Sequence, residues 1–350
     1  MPEAKHTLAR EQLRKPVKYL ILTFGLLLVY QPLPGGEYAD AVLRIGISPR
    51  SIALGNAAGS LIEGDEACFH NPANISYADR VEIRGMYVSQ FGMANFNTLG
   101  FTLPLLPDWA ASVHWSHFGV DDIPLRPDLH AFDLITQRDS ARALLEEPLG
   151  HFGSSEDAVF VSLGKMFRWD FDLGWQYFSL PVETPVGMNV KYLYREIAQV
   201  TGSGIGLDLS AGLKFPLNEL FDAEWIGQFG AAVLWQDVTG TPVSWNTQSQ
   251  DVMHPAMRWS LSMEQPVGFL FGRINAVWSR SSRAGGSSGW GLEYELGRML
   301  SLQVGSAGQR LNAGASIGFR ILGIAVDLQY AFGEHLLGSS HRIGTGILLP

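Results

Sequence analysis

Residues 204–215 read Gly-Ile-Gly-Leu-Asp-Leu-Ser-Ala-Gly-Leu-Lys-Phe, and their alternation decides the fold. Ile205, Leu207, Leu209, Ala211, Leu213 and Phe215 fall on one side of an extended chain. Gly204, Gly206, Asp208, Ser210, Gly212 and Lys214 fall on the other, because successive side chains of a strand point to opposite faces. The same period of two returns at 257–263, 290–296 and 311–319. A soluble sandwich also alternates, so one such segment proves little. These segments, however, run about ten residues, the length that crosses a bilayer at ~45° tilt. Their minority face is glycine, serine and charge, which suits a wet lumen.

Working outward, strands are expected at 80–91, 96–105, 108–118, 157–168, 185–198, 203–216, 227–238, 254–266, 269–281, 287–298, 299–308, 310–321, 323–332 and 340–349. The count is even, as closure of a bacterial single-chain barrel requires. The fold class expected is all-β: a transmembrane antiparallel β-barrel of about 14 strands, in a region 80–350. With a periplasmic N-terminus, the tight turns at 106–107, 266–268, 298–299 and 322–323 fall on the periplasmic side. The long connections 119–156 and 238–253 fall outside. One segment conflicts: 169–184 alternates like a further strand. It is read as a periplasmic excursion, with a sixteen-strand barrel as the rival.

Composition agrees. Charged residues are 17% of the 350, against about 25% in soluble domains. With 34 acids and 25 bases, the balance excludes a nucleic-acid binder, which needs a basic surplus. A single cysteine, Cys68, excludes an intramolecular disulfide and a Cys-rich metal site. Neither a metal nor a cofactor is expected.

The N-terminus reads as an export signal. Lys5, Arg10, Arg14, Lys15 and Lys18 precede the uncharged run 19–30, which is too short to span a bilayer. Ala39-Asp40-Ala41 is an A-x-A cleavage site, so 1–41 is expected to be removed, the competing reading being a membrane anchor. The expected location is the bacterial outer membrane, with membrane lipid as the surrounding partner.

The face expected to line the lumen carries Lys191, Arg195, Asp208, Lys214, Arg258, Glu264, Arg273, Glu293, Glu295, Arg320 and Asp327. Arg or Lys facing lipid at the midplane costs about 2–4 kcal/mol, so these belong inside. Their mixed signs argue against a single-sign ion filter. Fourteen strands leave a lumen that needs a filler, and residues 42–79 are long enough to be an N-terminal hatch. Residues 51–62 are helix-compatible, followed by Glu63, Asp65 and Glu66. The order Arg44…Gly46, Leu54-Gly55-Asn56-Ala57, Asp65-Glu66-Ala67 and Asn71-Pro72-Ala73 resembles the PorV/PorQ family, which belongs with the FadL-like outer-membrane barrels. The resemblance implies fourteen strands, an N-terminal hatch and, for PorV, a partnership with a protein-export machine. Asn74 stands where that family usually has Gly, and the chain ends on Pro350 rather than on an aromatic. On its own chemistry, Asn71-Pro72-Ala73 reads first as a structural turn.

Enzymatic signals are weak. His114 shares a strand face with Ser112 and Ser116, but no acid lies nearby on that strand. The protein is expected not to be an enzyme. Three functions fit: a FadL-like barrel binding or passing hydrophobic or amphipathic compounds, a PorV-like secretion partner, or a structural barrel. Within 119–156, Phe132, Ile135, Leu144 and Leu145 are candidate contacts for a hydrophobic small molecule or a secretion-machine protein. Packing of the loop against the rim is the plainer reading of all four.

Overall fold

The computed structural model describes residues 43, 45–90, 92–126, 137, 139, 148–172, 174, 179–223, 225–283, 288–297, 299–335 and 338–349. Among them the strands are β1 (Val81–Gln90), β2 (Ala94–Leu106), β3 (Trp109–Leu125), β4 (Gly150–Asp172), β5 (Ser179–Ile197), β6 (Val200–Pro216), β7 (Gln228–Gln236), β8 (Thr241–Trp245) and β9 (Gln250–Met253). They continue with β10 (Ala256–Val267), β11 (Gly272–Ser281), β12 (Ser288–Leu296), β13 (Leu300–Ala307), β14 (Arg310–Ile321), β15 (Ile324–His335) and β16 (Gly338–Leu349). β1–β7 pair in sequence, β7 pairs with β10, β10–β16 pair in sequence, and β16 returns to β1. The result is a closed antiparallel barrel of fourteen strands. β8 and β9 are not staves. They form a hairpin that pairs with β6 where β7 has ended, through Gly202–Gly204 against Val243–Trp245. The parity of fourteen therefore stands, although sixteen strands are present.

The alternation sorts faces as the sequence suggests. Ile205, Leu209, Leu213, Leu261, Trp290, Leu292, Leu311 and Ile317 are exposed on the outside. Asp208, Ser210, Lys214, Ser260, Ser262, Glu264, Glu293 and Asn312 are buried on the inside. A closed barrel satisfies every ladder hydrogen bond internally, which lets strands cross lipid. No helix among the described residues is long and apolar enough to do so.

The two rims differ. Leu322–Gly323 closes β14–β15 with φ of 52° and 87°, the doubly left-handed geometry of a two-residue hairpin. That rim carries short connections, the longest being 217–227 between β6 and β7. The opposite rim carries 126–149 and 237–255.

Within 169–184, the described residues 169–172 and 179–184 are strand but not a further stave. β4 and β5 stay paired from Ser154↔Ile197 to Asp172↔Ser179. β3 accompanies β4 only to Lys165, and β6 accompanies β5 only to Glu183. The two strands therefore outrun their neighbours as a paired ribbon on the short-turn rim.

Inside the barrel lie the described residues that precede β1, from 45 to about 79. They contain α1 (Pro49–Ala53), α2 (Ala67–His70) and a 3₁₀ helix, Pro72–Tyr77. The helix at 51–62 is shorter than its composition suggests: Gly55 and Asn56 both adopt positive φ, which ends α1 after one turn. α1 packs on β13–β16, and the 3₁₀ helix packs on β3–β6.

Candidate functional site

The seat of the N-terminal segment is built from glycine. A Cβ on Gly291 would lie 2.7 Å from the Leu54 Cα, one on Gly305 2.6 Å from the Leu54 carbonyl carbon, and one on Gly314 2.6 Å from the Ala53 Cβ. Across the lumen, Gly164 and Gly187 make the same allowance for Pro72 to Ser76. These glycines were expected to line water. They are instead grooves into which backbone fits, because only a residue without Cβ allows so close an approach.

Side chains then lock the segment. Ser48 caps α1 by accepting from the Ser51 N–H at 3.1 Å. Asn71 accepts from the Ala73 N–H at 3.3 Å and donates to Asn74 Oδ1 at 2.9 Å. Asn74 in turn donates to the carbonyls of Gly59 and Ile62. Asn71-Pro72-Ala73 thus starts a 3₁₀ turn, and Asn74 is its tie to the preceding chain.

The half of the lumen near the short-turn rim is a web of ion pairs. Arg50 forks onto Glu293, with Nε–Oε1 at 2.8 Å and Nη2–Oε2 at 2.6 Å, and reaches Glu295 at 3.0 Å. Glu295 and Glu264 share Arg273, and Glu264 also meets Lys214 at 2.7 Å. Lys214 continues to Glu63 at 3.1 Å. Arg84 joins Asp327, Glu66 and Glu82. Gln329 donates to both Glu66 and Asp327 at 2.9 Å. Buried charges persist only when paired, and here four pairings link the wall to the inner segment: Arg50–Glu293, Arg50–Glu295, Arg84–Glu66 and Lys214–Glu63.

Asp65 is fully buried beneath Gly100, which leaves room for its carboxylate. Asp65 accepts from Ser112 at 3.3 Å and Thr102 at 3.4 Å, and lies 3.1 Å from His114 Nδ1. The acid that strand β3 lacks is therefore supplied by the N-terminal segment. Ser112 spends its proton on the same carboxylate, and His114 Nε2 bonds to no serine among the described residues, so Ser112 and His114 form no relay. Cys68 is a packed residue whose carbonyl accepts from Asn189 at 2.7 Å; burial pushes its thiol pKa up, away from reactivity. Burial, with Arg258 beside it, pushes the His70 pKa down to about 3. His70 is therefore neutral.

The other half of the lumen combines apolar clusters with further ion pairs. Phe69, Phe160, Leu193, Val243, Met253 and Val277 cluster with Leu54, Ala58, Leu61, Ile62 and Ile75. Ile52, Met86, Val88 and Phe96 form a second group. Val243 and Met253 come from the β8–β9 hairpin, which folds in at the long-loop rim. That hairpin is held by Asp237, which meets Lys191 at 2.8 Å, Arg283 at 2.6 Å and Thr241 Oγ1 at 2.5 Å. Lys191 also meets Asp208 at 2.8 Å.

Of the charges expected to line the lumen, Lys191, Asp208, Glu293, Arg273 and Asp327 enter these networks. Arg195 pairs with Glu156 at 3.0 Å, and Arg258 lies over the Phe69 ring at 5.4 Å. Arg320 shares the inner register but is exposed at its strand's end. Gly46, Gly55, Asn56, Asp65, Asn71, Pro72 and Ala73 all pack within the lumen. Arg44, Phe132, Ile135, Leu144, Leu145 and the segment 1–41 lie outside the described residues. Sequence reasoning missed Arg50, Glu82 and Arg84 and named Glu66 without its partners, which makes the outstanding pairs Arg50 and Glu66 on the inner segment and Glu82 and Arg84 on β1. The last two alternate with apolar neighbours in β1 and were legible there; the first two carry no periodic signal.

No family model matches the sequence, and no curated protein matches it. Among solved structures, the deltaS2S3 mutant of the TodX monoaromatic hydrocarbon channel is similar at 11% identity and a TM-score of 0.50. That match covers 87% of this chain and 98% of the channel. The Pseudomonas putida toluene transporter TodX matches at 13% identity and 0.45, over 87% and 97%. The Ralstonia pickettii toluene transporter TbuX matches at 11% and 0.46, over 87% and 97%. At these identities the likeness is one of fold: a closed fourteen-strand antiparallel barrel.

Proposed function

We propose that this chain is a non-enzymatic, FadL-like outer-membrane barrel that binds or passes hydrophobic or amphipathic compounds. Residues 42–79 act as its hatch, and 1–41 as a cleaved export signal. The observation that carries the reading is the apolar clustering inside the lumen, where the wall residues Phe160, Met86 and Phe96 pack with residues of the inner segment beside its ion pairs. A water-filled pore has no use for Phe69, Phe160, Met86 and Phe96 in its lumen. An apolar solute does, since each methylene taken from water contributes about 0.8 kcal/mol. The ionic half, knit to the hatch, opposes straight passage of water and ions. In this reading the short-turn rim is periplasmic. Uptake of a labelled long-chain amphiphile by cells with and without the protein tests the proposal; equal uptake would refute it.

The resemblance to PorV supports a second reading, a barrel that partners a protein-secretion machine. Exposed Leu125 and Leu149, which flank the long connection, favour it as a landing surface on the outer rim. Loss of protein secretion with unchanged amphiphile uptake in the deletion strain would select this reading over the first.

A further inference from the structure

Four arginines of the lumen rest on carboxylates: Arg50 on Glu293, Arg84 on Asp327, Arg195 on Glu156 and Arg273 on Glu295. Arg342 does not. It occupies an inward position of β16 and is only 7% exposed. Among the described residues no carboxylate meets it. A guanidinium stays protonated in a protein, and a buried charge without a counter-ion is costly.

Its hydrogen bonding is one-sided. Nη1 donates to Ser340 Oγ at 2.8 Å. Nε is buried and has no partner among the described residues. Nε and Nη2 form the fork with which an arginine grips two oxygens at once. Arg50 holds Glu293 with that same pair of atoms, at 2.8 and 2.6 Å. In Arg342 the fork is left open among the described residues.

The register shows what lies around it. Across β14, β15, β16, β1 and β2 its row reads Gly314, Ala331, Arg342, Val88 and Phe96, with no acceptor side chain. Val88 and Phe96 belong to the apolar group that includes Ile52 of α1. The next inward row, toward the long-loop rim, reads Asn312, Gly333, Ser340 and Gln90. A Cβ on Gly333 would fall 2.8 Å from Arg342 Nη1 and 3.1 Å from Asn312 Oδ1. Glycine there gives the guanidinium room to lie toward the mouth. Gln90 Oε1 is also buried without a partner. Amide side chains supply donors as well as acceptors, so this row offers further N–H groups to an anion.

We infer that Arg342 is the seat of an oxyanion-binding site in the lumen, its open fork taking two oxygens of a carboxylate or similar group. A hydrocarbon attached to that group lies along Val88 and Phe96, an extension that rests on the amphiphile reading above. The cation and the apolar row select an anionic head over a neutral one.

Calorimetric titration of the purified barrel in a nonionic detergent tests the site. The probes are decanoate, decanol, which has the same chain without the charge, and acetate, which has the charge without the chain. The variants are Arg342→Met and Gly333→Ala; the second keeps the charge but fills the space of the guanidinium. Folding of each is checked by heat-dependent gel mobility. A charge-assisted fork is worth about tenfold or more in affinity, so decanoate is expected to bind the parent more tightly than decanol by about that factor. Both variants are expected to lose the preference and to keep the decanol affinity. Acetate as tight as decanoate, and lost in both variants, sustains the oxyanion seat and assigns it to a free anion. Decanoate and decanol binding alike in all three proteins overturns the seat and leaves the amphiphile reading standing. Binding of none of the three probes overturns both.

Discussion

Replacing Arg50 by Met breaks the principal tie between hatch and wall. Glu293 has no exposed side-chain surface, whereas Arg50 keeps 24%. Removing the arginine leaves a buried carboxylate held only by Asn275 and Gln303, both at 3.0 Å. Orphaning one partner of a buried pair costs about 3–5 kcal/mol, and the partial exposure of Arg50 puts this case at the lower end, about 3 kcal/mol. Since 1.36 kcal/mol is a factor of ten, unseating of α1 becomes more frequent by roughly 150-fold. Amide hydrogen exchange reads this directly. The Leu54 N–H bonds to the Arg50 carbonyl at 3.1 Å and the Ile62 N–H to Ala58 at 2.8 Å, and both are expected to lose about two decades of protection. Strand amides keep theirs. The paired variant Arg50→Met with Glu293→Gln removes the orphaned charge and is expected to recover most of the protection. Unchanged exchange in the single variant, or a double variant as fast as the single, would refute the reasoning.

Further expectations concern the glycine seat, acid and the folded-in hairpin. Gly305→Ala places a Cβ against Leu54 and is expected to cost about 1–3 kcal/mol of hatch stability; Gly268→Ala, with nothing within 4 Å, is expected to be neutral in the same exchange assay. The His70 pKa is about 3 in the seated hatch against an ordinary 6.5, so the unseated form takes up a proton more readily. Seating is therefore fully stable above 6.5 and weakens by about 1.4 kcal/mol per pH unit as pH falls toward 3. Bilayer conductance events should multiply on acidification, and less so in His70→Gln; equal pH dependence in the two proteins would remove this account. Lys191→Met leaves Asp208 and Asp237 facing each other with Arg283 as the remaining cation. The β8–β9 hairpin is expected to become cleavable by protease near 246–250, and Lys191→Met with Asp208→Asn to restore resistance.

The barrel was legible in the sequence because its cause is local. A strand that separates lipid from lumen must alternate, so Ile205 to Phe215 against Gly204 to Lys214 announces both faces without reference to any neighbour. Strand parity and the asymmetry of turns and loops followed from the same signal. What alternation could not separate was a stave from a paired ribbon at 169–184, and it read 238–253 as a connection although β8–β9 form a hairpin there; only their partners show where the closed sheet ends. The lumen was legible in residue type but not in use. Glycine on the inner face fits water and close-packed backbone equally well, and only the position of Leu54 and Ala73 against Gly305 and Gly187 distinguishes them. Likewise Asp65 and His114 are 49 positions apart. No spacing rule joins them, because their meeting depends on where the closed wall seats the hatch. The sequence by itself thus determined the two faces of the wall, a matter of one strand and its solvents. The tertiary structure alone decided which inner groups meet, since ion pairs and backbone grooves across a barrel depend on closure and register rather than on neighbours in the chain.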